Sequence, residues 1–279
     1  AMGQVFSIGK LFGTSLYSEL AFDLWRTSPD VASLALQALP RVVSPILSYS
    51  KNDREEVEFR LLRDAFFQYT AGGEGCGWHV DDVAFWPTEE DSDGPTVWIA
   101  LDEIRVSDGG GLAVLNRTKF QELAHSSSNL TEDYCRESIK AGTCAMKTLS
   151  PECYSKMEES KLEWDMKPGD AIIWNRWTFH RGVAAKNSSD SEHFVKRRYS
   201  VRYMPHGSKA GPFIHPSVGL GNYFDSPYYP QVWPRLKESE TKVLEKGLEA
   251  DLKLSRVFPF VATSILKKIL SKIASQSIL

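Results

Sequence analysis

The chain has few of the features that mark membrane, secreted or nucleic-acid-binding proteins. It contains no apolar run long enough to span a bilayer, and its opening residues lack the charged-then-apolar plan of a signal peptide. The net charge is only -3, which provides no electrostatic basis for binding nucleic acid. No internal repeat divides the 279 residues. We therefore expect one soluble, intracellular domain (1–279) that binds a small molecule, with no transmembrane segment.

Cysteine is also scarce. The four cysteines are Cys76, Cys135, Cys144 and Cys153. No histidine lies between them at zinc-finger spacing, which argues against a structural zinc site. The pattern therefore predicts ordinary thiols in a reducing compartment.

From about residue 60 the chain consists of short aromatic and β-branched segments separated by glycine and proline turns. The predicted strands are 63–69, 97–101, 111–115, 171–174 and 199–204. Many short strands of this kind are typical of a jelly-roll or barrel core, here expected over residues 60–235. The first 55 residues are predicted to form a helical layer, in which Ser28 caps a helix that ends by Pro40. The predicted fold class is thus mainly β with flanking helices (α+β).

Two further segments differ from this core. Residues 120–165 are polar and weakly periodic, which predicts an insertion that acts as a lid over part of the site. Residues 262–279 place isoleucines and leucines at helical spacing beside lysines. That pattern predicts an amphipathic C-terminal helix, which either docks on its own domain or contacts a membrane surface or a partner.

Two short motifs about a hundred residues apart could form a metal site. His79 and Asp81 are two residues apart, so in an extended segment they project to one face, whereas Asp82 projects to the other. His180 would have to come from another strand. Two imidazoles and one carboxylate on one face are the ligand set of non-haem Fe(II) enzymes. These three residues therefore predict an iron centre if the fold brings them together.

Large aromatic residues flank the first motif. Trp78, Phe85 and Trp86 could line a pocket for an apolar or aromatic substrate. Core packing explains the same residues equally well.

The last predicted strand has two chemically different faces. Arg198, Ser200 and Arg202 alternate with Tyr199, Val201 and Tyr203. If the apolar face packs under the helical layer, the arginines face the interior, where they require anionic partners. A dicarboxylate cosubstrate would supply them, because a guanidinium binds a carboxylate through two hydrogen bonds. The alternative is a half-exposed edge strand with solvated arginines.

Four segments resemble the phytanoyl-CoA dioxygenase-like branch of the Fe(II)/2-oxoglutarate-dependent oxygenases. They are Trp78-His79-Val80-Asp81-Asp82, residues 96–102, residues 109–115, and residues 169–180 followed by Asn187 and Ser189. The resemblance covers roughly residues 60–235, without the insertion. It implies a double-stranded β-helix (jelly-roll, cupin-like) core. It also implies Fe(II) held by His79, Asp81 and His180, with 2-oxoglutarate and O2 as cosubstrates.

The resemblance further implies which residues hold 2-oxoglutarate. Trp98 corresponds to a residue that lines the cosubstrate pocket, and Gln68 is a weaker candidate. The usual basic anchor falls on Lys196 when counted back from the end of the last strand. We favour Arg198 instead, because it shares a face with Ser200 and Arg202. Arg202 itself remains a further basic candidate.

The function implied is oxidation of a small, lipophilic organic substrate by hydroxylation or desaturation, while 2-oxoglutarate and O2 become succinate and CO2. Two other functions remain open from the sequence. One is a non-catalytic relative that uses the fold as a binding module. The other is a metal cupin enzyme that works without 2-oxoglutarate.

Overall fold

The computed structural model describes residues 5–6, 19–50, 58–70, 75–81, 86–89, 93–125, 130–139, 145–185, 195–211, 218, 220–225 and 228–234. The strands are β1 (Val5–Phe6), β2 (Glu19–Phe22), β3 (Phe59–Thr70), β4 (Pro95–Ala100), β5 (Leu112–Leu115), β6 (Lys161–Leu162), β7 (Ala171–Asn175), β8 (His180–Gly182), β9 (Val195–Pro205) and β10 (Gln231–Trp233). The helices are α1 (Pro29–Ser33), α2 (Leu39–Ser50), α3 (Arg117–His125), α4 (Glu132–Ser138), α5 (Met146–Leu149) and α6 (Pro151–Glu159). Each predicted strand therefore corresponds to a strand of the structure.

The strands form two antiparallel sheets. The larger has the order β1-β2-β3-β9-β4-β7, with β10 also paired to β3, and the smaller has the order β6-β5-β8. The longest pairing joins β3 to β9, from Phe59 opposite Pro205 to Thr70 opposite Val195. The central strands of the large sheet are thus β3, β9 and β4, and they carry most of the inward-facing candidate residues.

One face of β9 buries apolar side chains and the opposite face buries polar and charged ones. Tyr199, Val201 and Tyr203 pack with residues of β4 and of the N-terminal helices, including Trp25 and Val43, in one apolar cluster. The Tyr203 hydroxyl donates to the carbonyl of Ala35 in this layer. The apolar face of β9 therefore packs under the N-terminal segment. Arg198, Ser200 and Arg202 occupy the opposite face and are all buried.

The N-terminal layer departs from the prediction in two places. Glu19–Phe22 is a strand paired to β3 rather than a helix, because its apolar residues gain a sheet partner that leucine spacing does not reveal. The next helix begins as predicted, since the Ser28 hydroxyl accepts a hydrogen bond from the Val31 N–H. Its predicted end at Pro40 is wrong, because the chain continues through a π-helical turn into α2. The π-helical turn ends just before Pro40, at the point where a proline ring would clash with the carbonyl four residues back in a regular α-helix.

The described part of the insertion is helical and packs on one side of the small sheet. Its helices form an apolar cluster with Trp78, Val80 and Phe179. A disulfide joins Cys135 of α4 to Cys153 of α6, and Cys76 is also disulfide-bonded. The prediction of ordinary thiols is therefore wrong. It failed because α4 and α6 are neighbours in the fold, which the cysteine spacing alone does not show.

Helices long and apolar enough to cross a bilayer are absent from the described part of the chain. The amphipathic segment 262–279 lies outside the described residues.

Candidate metal centre

His79, Asp81 and His180 converge in the structure. All three are buried, and each offers a ligand atom that lies within 4.8 Å of the other two. The backbones of His79 and His180 form an antiparallel bridge, with N–H to carbonyl distances of 3.0 and 2.9 Å. Because side chains alternate along an extended chain, this bridge also brings Asp81 to the same side. The three side chains therefore form a group that could hold one metal ion.

The two imidazoles are oriented by backbone carbonyls. The His79 Nδ1–H donates to the Gly77 carbonyl at 2.7 Å, and the His180 Nδ1–H donates to the Thr178 carbonyl at 2.9 Å. A carbonyl oxygen can only accept, so each ring carries its proton on Nδ1. Each Nε2 is then left with the lone pair that a metal ion requires.

Burial keeps both histidines neutral. It lowers the pKa of His79, although the nearby Asp81 carboxylate works in the opposite direction. Burial, and then the neighbouring His79, lower the pKa of His180 to about 3. Neutral imidazole is the metal-binding form, so proton competition for these two ligands is weak at physiological pH.

Asp81 is completely buried and is held through both carboxylate oxygens. The Arg202 guanidinium donates to Oδ1 at 2.9 Å and to Oδ2 at 3.2 Å, and the Thr96 hydroxyl donates to Oδ2 at 2.8 Å. Burial alone would raise the pKa of Asp81, but the charge and hydrogen bonds of Arg202, together with the neighbouring imidazoles, outweigh burial and hold that pKa well below its usual range. Oδ1 also lies 3.8 Å from His180 Nε2. It is therefore the oxygen nearest to a shared metal position.

Arg198 lies deeper along the same face, between two aromatic rings. Its guanidinium carbon is 3.9 Å from the ring centre of Tyr69 and 5.4 Å from that of Trp98. It is almost completely buried. Ser200 lies between the two arginines along the strand, and its hydroxyl accepts a hydrogen bond from Arg202 at 3.3 Å. The inward face of β9 thus places one arginine against Asp81 and the other in an aromatic recess.

The remaining candidate residues lie elsewhere. Gln68 is opposite Arg197 in the β3–β9 register, whereas Arg198 is opposite Phe67, so the pleat turns Gln68 to the other face of the sheet. The Lys196 ammonium donates to the Glu103 carbonyl at the surface. The structure therefore brings neither side chain to the position of Arg198.

The aromatic residues near the first motif are core residues where the structure describes them. Trp78 is buried in the cluster with the insertion helices, and its indole N–H donates to Glu158 at 2.8 Å. Trp86 is fully buried beside Leu62 and Met204. Phe85 lies outside the described residues. Packing, the alternative explanation for these rings, accounts for both tryptophans.

Three residues near the site were not predicted as site residues. Thr96 orients Asp81, Tyr69 covers the Arg198 guanidinium, and the Trp174 ring centre lies 4.7 Å from that of His180. A side chain at Gly182 would clash with the Tyr69 hydroxyl, which lies 2.7 Å from the ideal Cβ position. Alternation could have indicated that Tyr69 and Thr96 face the site. Tyr69 is two residues from Phe67 on β3, and Thr96 is two residues from Trp98 on β4, so each shares a face with an inward-facing residue.

Comparison with known proteins identifies the family. The family model described as phytanoyl-CoA dioxygenase (PhyH) matches residues 13–193. The chain belongs to the phytanoyl-CoA dioxygenase family. This confirms the predicted enzyme class, a 2-oxoglutarate-dependent oxygenase with Fe(II), 2-oxoglutarate and O2. The match begins earlier than the predicted resemblance, within the first fifty residues, and it ends before Arg198 and Arg202.

Solved structures show the same fold. The non-haem α-ketoglutarate-dependent carbocyclase SnoK from nogalamycin biosynthesis is 17% identical, with a TM-score of 0.55 over 77% of this chain and 75% of that one. The epimerase SnoN from the same biosynthesis is 15% identical, with a TM-score of 0.52 over 77% of each chain. The search of curated proteins found no match. At these identities the likeness establishes the fold alone, the double-stranded β-helix predicted from the sequence.

The residues present fit the metal that this family requires. Two neutral imidazoles and one ionised carboxylate form the facial set that suits Fe(II) and leaves coordination positions open. Their buried position also limits access of bulk water.

Proposed function

We propose that His79, Asp81 and His180 bind Fe(II), that Arg198 binds the distal carboxylate of 2-oxoglutarate, and that the enzyme hydroxylates or desaturates a small lipophilic substrate. The observation that carries this proposal is the convergence of the three buried ligand side chains within 4.8 Å. Bound Fe(II) and 2-oxoglutarate would supply the oxidising chemistry: 2-oxoglutarate loses CO2 and takes one oxygen atom of O2 to become succinate, while the other oxygen atom enters the hydroxylated substrate, or leaves as water when the substrate is desaturated.

The chain contributes binding, orientation and exclusion of water. The carbonyls of Gly77 and Thr178 fix the imidazole rings, and Thr96 fixes the outer oxygen of Asp81. Arg198 offers a planar fork of donors, which matches a carboxylate better than a lysine ammonium does. Trp98 and Tyr69 flank this fork and would lie along the carbon chain of the cosubstrate.

Apolar side chains on the inward faces support a lipophilic substrate. One buried cluster combines Trp98, Ile104, Leu112, Val114 and Trp174 with Ala100 and Met166. A second combines Leu20, Ala65, Phe67 and Tyr69. Apolar substrate surface would be buried favourably beside such side chains, at about 25 cal/mol per Å². Of the two arginines on this face, Arg202 binds Asp81 and Arg198 is proposed to bind the cosubstrate, so neither is assigned to the substrate.

An anaerobic titration tests the proposal directly. Fe(II) is added to the apo protein, followed by 2-oxoglutarate, while the visible iron-to-2-oxoglutarate charge-transfer band is recorded. We expect a band that is lost in His79→Ala and weakened in Arg198→Ala. Iron binding without a band would instead indicate a metal enzyme independent of 2-oxoglutarate. Absence of iron binding would indicate a non-catalytic relative.

A turnover assay completes the test. Asp81→Ala should abolish succinate formation coupled to O2 consumption, because it removes the one anionic ligand. Full turnover in that variant would refute the assignment of the metal site.

A further inference from the structure

One carboxylate of the insertion contacts both metal-ligand segments from behind. Glu158, near the end of α6, accepts hydrogen bonds from Trp78 Nε1 at 2.8 Å and from Arg181 Nε at 2.6 Å on Oε1. Its Oε2 accepts from Arg181 Nη2 at 2.9 Å. Trp78 immediately precedes His79, and Arg181 immediately follows His180. Glu158 therefore connects the neighbours of both candidate histidine ligands.

The alternation of side chains explains this arrangement. His79 and His180 project to the metal side, so the adjacent Trp78 and Arg181 project to the reverse side. There the Arg181 guanidinium also lies over the Trp78 ring, 5.6 Å from its centre. Burial alone would raise the pKa of Glu158, but the hydrogen bonds and charge of Arg181 lower it. The carboxylate is thus ionised and forms charge-assisted hydrogen bonds, which are stronger than neutral ones.

The segment that carries His79 needs such support. Residues 75–81 form only an isolated bridge at His79, not a regular strand of either sheet. The described backbone bonds of this segment to the second motif come from Cys76, His79 and Asp81. A short segment held by few ladder bonds fixes its side chains less well than a strand inside a sheet. The side-chain contacts of Trp78 therefore bear on the position of the adjacent His79.

The helix that presents Glu158 is itself firmly held. Met157, next to Glu158, is fully buried in the apolar cluster of the insertion. The Cys153 disulfide ties α6 to Cys135 of α4. Glu158 thus projects from a fixed support.

We propose that Glu158 is a positioning residue of the metal centre, which fixes the orientation of the His79 and His180 side chains by binding Trp78 and Arg181 together behind their backbone bridge. This inference rests on the proposed function, because it assumes that both histidines bind the metal. It gives the insertion a role behind the site, in addition to the lid predicted from the sequence. Groups that hydrogen-bond directly to metal ligands commonly change metal affinity by about 10- to 100-fold when they are removed, and Glu158, which is one contact further from the metal position, should have an effect at the lower end of that range.

Anaerobic titration with Co(II), followed by its visible ligand-field absorption, tests the proposal. We expect Glu158→Gln to weaken Co(II) binding by about 10-fold and to alter the ligand-field spectrum. Glu159→Gln is the matched control, because Glu159 is half-exposed on the same helix and contacts only Lys156 and Ser155 among the described hydrogen-bond partners. It should bind Co(II) like the wild type.

Trp78→Phe provides an independent test, because it removes the N–H donor to Glu158 and keeps an aromatic, although smaller, side chain at this buried position. It should also weaken Co(II) binding and shift the spectrum, and it decides the question if Glu158→Gln does not fold. Wild-type affinity and spectrum in the folded variants would overturn the role of Glu158. Equal Co(II) binding by wild type and His79→Ala would instead overturn the proposed metal site itself, so the two failures are distinguishable.

Discussion

The buried pair between Arg202 and Asp81 provides the sharpest test of the site without any cosubstrate. Arg202→Met removes the guanidinium and keeps a side chain of similar length. In the metal-free protein this leaves Asp81, which is fully buried, with only the Thr96 hydrogen bond among those described. Removing one partner of a buried pair costs about 3–5 kcal/mol, because a buried charge is left uncompensated. We expect a comparable loss in the free energy of unfolding.

An ion pair on the same strand serves as the control. Arg197 pairs with Asp102 at 2.7 Å, close to the 2.9 Å of the buried pair, but the Arg197 side chain is half exposed. Exposed pairs contribute little to stability, so Arg197→Met should leave the free energy of unfolding almost unchanged. Urea unfolding of both variants, without metal and at pH 7, measures the contrast. By thermal unfolding, Arg202→Met should lower Tm by roughly 10 °C.

The stability that the Arg202–Asp81 pair contributes should depend on pH. Arg202 holds the pKa of Asp81 below its usual range, so the pair stabilises the fold above the ordinary carboxyl pKa and loses this contribution as the pH falls further. The penalty of Arg202→Met should nevertheless be larger at pH 7 than at pH 4, because without Arg202 burial raises the pKa of Asp81, and a proton taken up there at the lower pH removes the uncompensated charge. Added Co(II) should restore part of the lost stability, because the ion places positive charge beside Asp81. Equal losses in the two variants would refute the argument.

Three other predictions concern separate parts of the molecule. Arg198→Ala should weaken 2-oxoglutarate binding by at least about 30-fold, because truncating a buried ionic contact costs about 2 kcal/mol or more, whereas Lys196→Ala should not; calorimetric titration of the Co(II) form measures both. Burial raises the pKa of Asp64 to about 6, so its contribution to stability is present below a pH of about 4 and is lost as the pH rises through 6. Relative to Asp64→Asn, the wild type should therefore lose up to about 3 kcal/mol in urea unfolding between pH 4 and 7. Removing the Cys135–Cys153 disulfide, which spans a sequence separation of 18 residues, should lower the free energy of unfolding by about 3 kcal/mol, measured in urea by comparing the wild type with a Cys135→Ala/Cys153→Ala variant, which leaves the Cys76 disulfide intact.

The shared face of His79 and Asp81 and the alternation along β9 could be predicted, because both depend on the two-residue period of an extended chain, whereas the approach of His180 depends on the fold. His79 and Asp81 share a face for this reason, and Arg198 and Arg202 share another. Burial reinforces the period on β9, because its tyrosines and valine pack under the helices. When the apolar residues of a strand must pack against a neighbouring layer, the alternating polar residues must point to the opposite side of the sheet.

Depth along the strand could not be predicted in the same way. Alternation predicts that Arg198 and Arg202 both face inward, but it does not predict which of them reaches Asp81. That depends on the register with β4, in which Thr96 is opposite Arg202. Gln68 was assigned to the site because β3 precedes the metal motif, and its phase relative to β9 depends on pairing between distant residues. Glu158 left no signal at all, because a lone carboxylate in a weakly periodic insertion resembles any solvated helix residue.

The position of Glu158 follows from a constraint that applies to both motifs together. Each ligand histidine occupies the inward side of a short extended segment, so its chain neighbour must face outward. Behind the sheet that neighbour would be solvated unless another element covered it. The insertion supplies this cover, and its apolar cluster buries Trp78 and Phe179, which would otherwise expose large rings to water. Once the cover is present, Arg181 is partly desolvated and requires an anion, which Glu158 provides. The same two neighbours that burial forces outward are therefore available to fix the geometry of the histidines in front.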